Sequence, residues 1–251
     1  MDVMNIIESL FRWIHVIAGV LWIGLLYFFN WVNANVMPKL DAETKKKVVP
    51  ELMPRALYWF RWGAAYTWVT GVLLLLIVYY HGGIMFDGMG QWGPASFIMI
   101  AIVFGAPIIY DALYKTVLKD PKTGFVGGLI LVTVFLFAMA MGAQFTFRAY
   151  AIHLGAMFGT IMAFNVWFRI WPAQQKIIRA TKEGTPPDAA LVALAGTRSK
   201  HNTYMSVPLV YMMLAQHMVF STNPLTPAIV VLIGWGATYW LYEKSKTVKG
   251  F

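Results

Sequence analysis

The sequence predicts an all-α integral membrane protein, a bundle of seven transmembrane helices with its N-terminus outside and its C-terminus in the cytoplasm. Three observations lead there. First, 59% of the residues are hydrophobic and only 12% are charged, more apolar surface than a soluble core encloses. Second, seven apolar stretches are long enough to cross the hydrocarbon layer. Third, lysine and arginine collect in alternate connections between those stretches.

Taken in order, the first span covers 10–36, with Glu8 just before it and Arg12 and His15 near its start. It is too long for the apolar core of a cleavable signal peptide and reads as a retained helix. The second, 56–80, follows Lys39, Lys45, Lys46, Lys47 and Arg55. The third is 95–118, with Lys115, Lys119 and Lys122 leading to the fourth, 124–145. A tight turn at 145–150, carrying Arg148, leads to the fifth, 149–171. The loop 172–202 holds Lys176, Arg179, Lys182, Arg198 and Lys200. Within it, 173–182 reads as an amphipathic surface helix, ended by Gly184, Pro186 and Pro187, and 189–195 as a second short helix capped by Asp188. The sixth span is 204–220 and the seventh 226–242, before a tail with Lys244, Lys246 and Lys249. Seven spans put all four basic regions on one side, the cytoplasmic one. The 11 Trp, 12 Tyr and 17 Phe crowd the ends of the apolar runs, as an interfacial belt does. Residues 1–251 thus form a single membrane domain without internal repeats.

Composition also excludes chemistries. With no cysteine there are no disulfides, iron–sulfur clusters, thiolate metal sites or covalently attached haem. The net charge of +9 reflects cytoplasmic loops rather than nucleic-acid binding. The 15 methionines are scattered through apolar runs and read as core filler.

The histidines point to a cofactor. His15, His153 and His217 lie near the outer ends of three different spans, His81 lies in a loop before Gly82 and Gly83, and His201 is on the cytoplasmic side. A lone intramembrane histidine can simply hydrogen-bond a neighbouring helix. Three at a shared depth suit axial ligation of a b-type haem, which takes two imidazoles from facing helices. One haem is expected, with two as an alternative, and the spare histidine is left for a second haem, a proton path or a quinone. Arg12, three residues before His15, and Arg148, just outside His153, are placed to meet the haem propionates. Gly155 and Gly159 follow His153 as a small-residue step that admits a close helix or a flat macrocycle.

A second polar cluster falls near the cytoplasmic face: Arg61, Asp111, Asn165, Arg169, Arg198, His201 and Asn202. It reads either as an interfacial network with snorkelling arginines or as a substrate or quinone site, with Asp111 and Arg61 able to pair. His201 and His217 are 16 residues apart, about 24 Å along a helix, too far for one fast electron hop.

The chain resembles the N-terminal membrane domain of the bacterial membrane-bound, cytochrome c-linked urate oxidases. The likeness rests on residues 12–24 (RWIHVIAGVLWIG), 66–71 (YTWVTG), 153–175 (HLGAMFGTIMAFNVWFRIWPAQQ), 198–204 (RSKHNTY) and the pair Gln216–His217. The resemblance implies a helical domain in the bacterial inner membrane, b haem on two of His15, His153 and His217, and electrons leaving to a c-type cytochrome. Family members commonly carry that cytochrome as a fused C-terminal domain. This chain ends at Phe251 without a haem-attachment motif, so a separate cytochrome or a quinone is expected instead. In the family pattern an acidic residue follows the tryptophan matched by Trp62, whereas Gly63 and Ala64 stand there here. The leading expectation is therefore a b-type cytochrome subunit, relaying electrons between a partner dehydrogenase or quinone and an extracytoplasmic c-type cytochrome. The alternatives are a membrane urate or purine oxidase and a non-redox transporter or scaffold.

Overall fold

The computed structural model describes residues 3–87, 90–217 and 223–250. Among them the chain is helical throughout, apart from an isolated bridge between Phe86 and Phe145. There are seven long helices: α1 (Val3–Lys39), α2 (Ala42–His81), α3 (Pro94–Lys115), α4 (Pro121–Gly142), α5 (Phe147–Glu183), α6 (Ala189–Leu214) and α7 (Leu225–Thr247). All except α6 are long and apolar enough to cross a membrane, which makes this a multi-pass membrane protein. The predicted sixth span corresponds to the C-terminal part of α6, and residues 218–220 of it lie outside the described residues. In α6 the polar run from Thr197 to Thr203 lowers the apolar content of the described part.

Two predicted surface helices are not separate. Residues 173–182 continue α5 without interruption, although Pro172 lacks the N–H of a regular turn. A stretch of wider, π-type turns at Val166–Ile170 immediately precedes it and absorbs the missing hydrogen bond. Similar turns occur at Phe28–Asn33, Leu75–His81 and Ala138–Gly142. Gly184 then ends α5 as predicted, at φ 74°, with the Gly184 and Thr185 amides donating to Thr181 and Ala180 carbonyls. Residues 189–195 are likewise the first turns of α6, and the Asp188 carboxylate accepts the Ala190 amide at 2.8 Å. The second helix also starts earlier than its apolar stretch, at Ala42, and tolerates Pro50 and Pro54 within its first turns.

The helices gather into two compact units. One comprises residues 1–8, 71–161 and 205–236, and the other 9–70, 162–204 and 237–251. In the first unit, α5 packs on α6 through glycine. A Cβ built on Gly155 would sit 3.0 Å from Met212 Cβ and 3.2 Å from Met213 Cε, whereas at Gly159 the nearest atom is Leu209 Cδ1 at 3.6 Å. The small-residue step thus receives a helix. Gly155→Leu is expected to destabilise the protein by about 1–3 kcal/mol through overpacking, and Gly159→Ala much less, as read by thermal unfolding in detergent.

In the same unit Asp120 caps α4. Its carboxylate accepts the Thr123 amide at 2.9 Å and the Thr123 hydroxyl at 3.2 Å. The Thr123 amide holds the Asp120 carboxyl below its usual 3.8, helped by the Thr123 hydroxyl and opposed by partial desolvation. Because the folded value is depressed, this stabilisation is fully present above the unfolded value and is lost as pH falls through the folded one. Amide exchange at Thr123 should therefore accelerate on acidification below that range beyond the intrinsic pH effect, and Asp120→Asn should remove the extra acceleration.

Candidate functional site

His153 is the most completely enclosed of the candidate ligands, at 0% exposure. The start of α5 is set by Thr146, whose hydroxyl accepts the Ala149 amide at 3.1 Å while its own amide donates to Met85 O at 2.9 Å. This ties the loop after α2 to the entrance of α5 and brings Phe86 beside Phe145, with ring centres 5.8 Å apart. The His153 ring then lies among Phe145 at 5.3 Å, Tyr80 at 5.6 Å and Tyr79 at 6.2 Å, with Trp92 against Tyr80 and Phe86.

The hydrogen bonds of His153 fix its tautomer. Nδ1 is 2.6 Å from the Ala149 carbonyl. A carbonyl only accepts, so Nδ1 carries the proton and Nε2 of the neutral ring keeps its lone pair. That pair faces the Tyr80 hydroxyl, which donates at 3.0 Å.

His15 belongs to the other unit and is prepared in the same sense. The Thr70 hydroxyl is 2.6 Å from Tyr66 O, so its one hydrogen is engaged there. It accepts in turn from His15 Nδ1 at 3.1 Å, again leaving Nε2 with the lone pair. Arg12 lies close enough to act electrostatically on His15. His15 and Arg12 are half-buried. Nearby, Gly63 meets α1 closely: a Cβ there would be 3.3 Å from Ala18 O and from Trp22 Cβ, and Ala64 is wholly buried. The position after Trp62 is thus a close helix crossing, where any side chain would press on α1.

The remaining expected ligands are placed differently. His217 shares a unit with His153, but it is exposed, and no hydrogen bond or ring contact joins the two among the described residues. Arg148 is exposed in the first turn of α5. Five residues before His153, it leaves the helix about 140° away from it. His81 is exposed, as its loop setting implies.

The second polar cluster separates into parts. Asp111, 8% exposed, pairs with Lys115 at 2.6 Å. One helical turn puts the lysine within reach at no conformational cost. Asn165 and Asn202 form a buried amide pair in which Asn165 Nδ2 donates to Asn202 Oδ1 at 2.9 Å and Asn202 Nδ2 donates to Met162 O at 3.0 Å. Arg198 is buried and His201 half-buried on the same helix as Asn202. Arg169 packs on Phe164 and donates to Phe168 O at 3.1 Å. Arg61 stacks on aromatic rings.

The unit of residues 9–70, 162–204 and 237–251 also contains a polar chain with no counterpart among the expected sites. Tyr242 OH donates to Asn30 Oδ1 at 2.8 Å, and Asn30 Nδ2 donates to Ser199 Oγ at 2.8 Å and Leu26 O at 2.9 Å. Lone asparagines inside apolar spans, such as Asn30, were the available signal. The tyrosine walls of His153 were visible only as the pair Tyr79–Tyr80 beside His81.

The described residues contain no group of three or more His, Cys, Asp or Glu side chains suited to hold a metal ion. His153 and His15, one in each unit, are the two imidazoles whose Nδ1 is hydrogen-bonded and whose Nε2 keeps its lone pair. The architecture and these oriented imidazoles define the class, a multi-pass helical membrane protein with polar sites inside its helices. The family described as urate oxidase N-terminal matches residues 40–248, and the chain belongs to it. No curated protein and no solved structure matches the chain.

Proposed function

We propose that the protein is a b-type cytochrome subunit of a bacterial inner membrane, carrying electrons between a partner dehydrogenase or quinone and an extracytoplasmic c-type cytochrome. The observation that carries this reading is His153, fully enclosed, with Nδ1 anchored on Ala149 O and Nε2 turned to a single displaceable hydroxyl. A second-sphere acceptor on Nδ1 fixes the ring and raises its basicity, which is what a metal-ligating imidazole needs. His15 carries the same preparation through Thr70, and His217 is the third candidate ligand. When bound, haem b supplies one-electron redox chemistry. The chain's own contribution is to orient the imidazoles, exclude water with Tyr79, Tyr80 and Phe145, and offer Arg12 or Arg148 to the propionates. The proposed orientation has the N-terminus outside and the C-terminus in the cytoplasm, so that basic connections face inward.

Family membership favours a second reading, a membrane urate or purine oxidase that passes electrons to a separate cytochrome c. The helix crossing at Gly63 leaves it without a carboxylate at that position for proton transfer. The deciding experiment is a reduced-minus-oxidised spectrum of the purified protein, with and without urate. A b-type band supports the first reading. Reduction of that band by urate alone supports the second, and a colourless protein made with ample porphyrin supply rejects both.

A further inference from the structure

Among the described residues Arg61 has no carboxylate partner. It sits in α2 five residues beyond Ala56, where the apolar part of that helix begins, about 8 Å along the axis. Its Cζ lies 4.0 Å from the centre of the Trp171 ring, 5.6 Å from Tyr58 and 5.8 Å from Trp167. The box is held in place from both helices. Trp167 Nε1 donates to the Arg61 carbonyl at 3.1 Å, and the Trp62 and Trp167 rings meet edge-on at 5.5 Å. Such faces attract a guanidinium, but they accept none of its five N–H bonds. Among the described residues no oxygen accepts from the Arg61 side chain, and its Nε is sealed off without a partner.

An arginine stacked on rings and stripped of acceptors presents its N–H edge to a ligand with several oxygens in one plane, the geometry of phosphate or carboxylate recognition. The surroundings indicate where that ligand comes from. Tyr58, Trp62 and Phe168 are exposed side chains of membrane-length helices, so the rim opens on the surface that such a protein turns to lipid. Farther along α5 the exposed Lys176, Arg179 and Lys182 add positive charge, which draws anionic headgroups.

We propose that Arg61, with Tyr58, Trp167 and Trp171, binds the phosphate of an anionic phospholipid at the membrane boundary. The site is independent of the haem reading, because it shares no residue with the imidazole sites.

The test uses the full chain in nanodiscs of phosphatidylcholine, with or without phosphatidylglycerol. Thermal unfolding and native mass spectrometry of retained lipid are the readouts. Phosphatidylglycerol should raise the unfolding midpoint and remain bound. Arg61→Gln should abolish most of that rise and reduce retained phosphatidylglycerol by about tenfold, the size of effect expected for losing one charge-assisted contact. Arg55→Gln should behave as wild type. Arg61→Lys, which keeps the charge but loses the planar fork, should retain an intermediate amount, and it serves if Arg61→Gln does not fold. Unchanged retention in both Arg61 variants would overturn the proposal. So would the absence of any lipid effect on the wild type, or an equal midpoint rise from inorganic phosphate in phosphatidylcholine alone, which would assign the box to a soluble anion.

Discussion

Replacing His153 by alanine is expected to strip the protein of b-type haem, with haem per polypeptide falling by roughly tenfold or more. The size of the effect follows from the enclosure of the ring. At 0% exposure, no water-filled approach offers a substitute ligand, and the neighbouring tyrosines and Phe145 bring no second imidazole. Tyr80→Phe is the informative companion. If Nε2 ligates iron, the Tyr80 hydroxyl is not its partner in the loaded protein, so that variant should keep its haem. If His153 is simply a hydrogen-bonded core residue, Tyr80→Phe should destabilise the fold and the haem content should be indifferent to His153. His201→Ala should also retain haem, since His201 is not one of the three candidate ligands. Haem content by pyridine haemochrome, with circular dichroism to verify folding, separates these outcomes. Full haem content in His15→Ala, His153→Ala and His217→Ala alike would sink the ligand assignment.

Asn202→Ala is expected to cost about 2 kcal/mol of stability. Asn202 is wholly buried, accepts from Asn165 at 2.9 Å and donates to Met162 O at 3.0 Å. Its removal takes away one buried acceptor of Asn165 and one buried donor to Met162 O, where water is scarce. Asn165→Ala removes one side of the same pair. The double variant should therefore lose less than the sum of the two single changes. Denaturant or thermal unfolding in detergent measures the three differences; strict additivity would show that the amide pair contributes no coupling.

Much of the helical layout was legible because apolar runs of membrane length have few competing explanations. The starts of the runs were less legible. The helix that carries Arg61 begins at Ala42, fourteen residues before its apolar stretch at 56, because a polar amphipathic stretch can be helical outside a membrane while hydropathy registers only the apolar part. Pro172 suggested a break, and the helix instead widens just before it, an adjustment with no residue signature. In the site, the candidate imidazoles were visible as rare residues in apolar surroundings. Their partners were not: Thr70 lies 55 residues from His15 and Tyr80 lies 73 residues from His153. Lys115 pairs with Asp111 one helical turn away, a local contact that the four-residue spacing favours.

The wide turns at Val166–Ile170 also make α5 tolerant of a change in length. A π-type turn accommodates one residue more than a regular helix does, so deleting a single residue there should leave an unbroken rod whose far end keeps nearly the same facing. Trp171 should then stay on the Arg61 guanidinium, and His153 should keep its aromatic surroundings. The same excision from a regular stretch of α5 would swivel everything beyond it by about 100°, so one lost codon is absorbed or ruinous according to which turn it falls in.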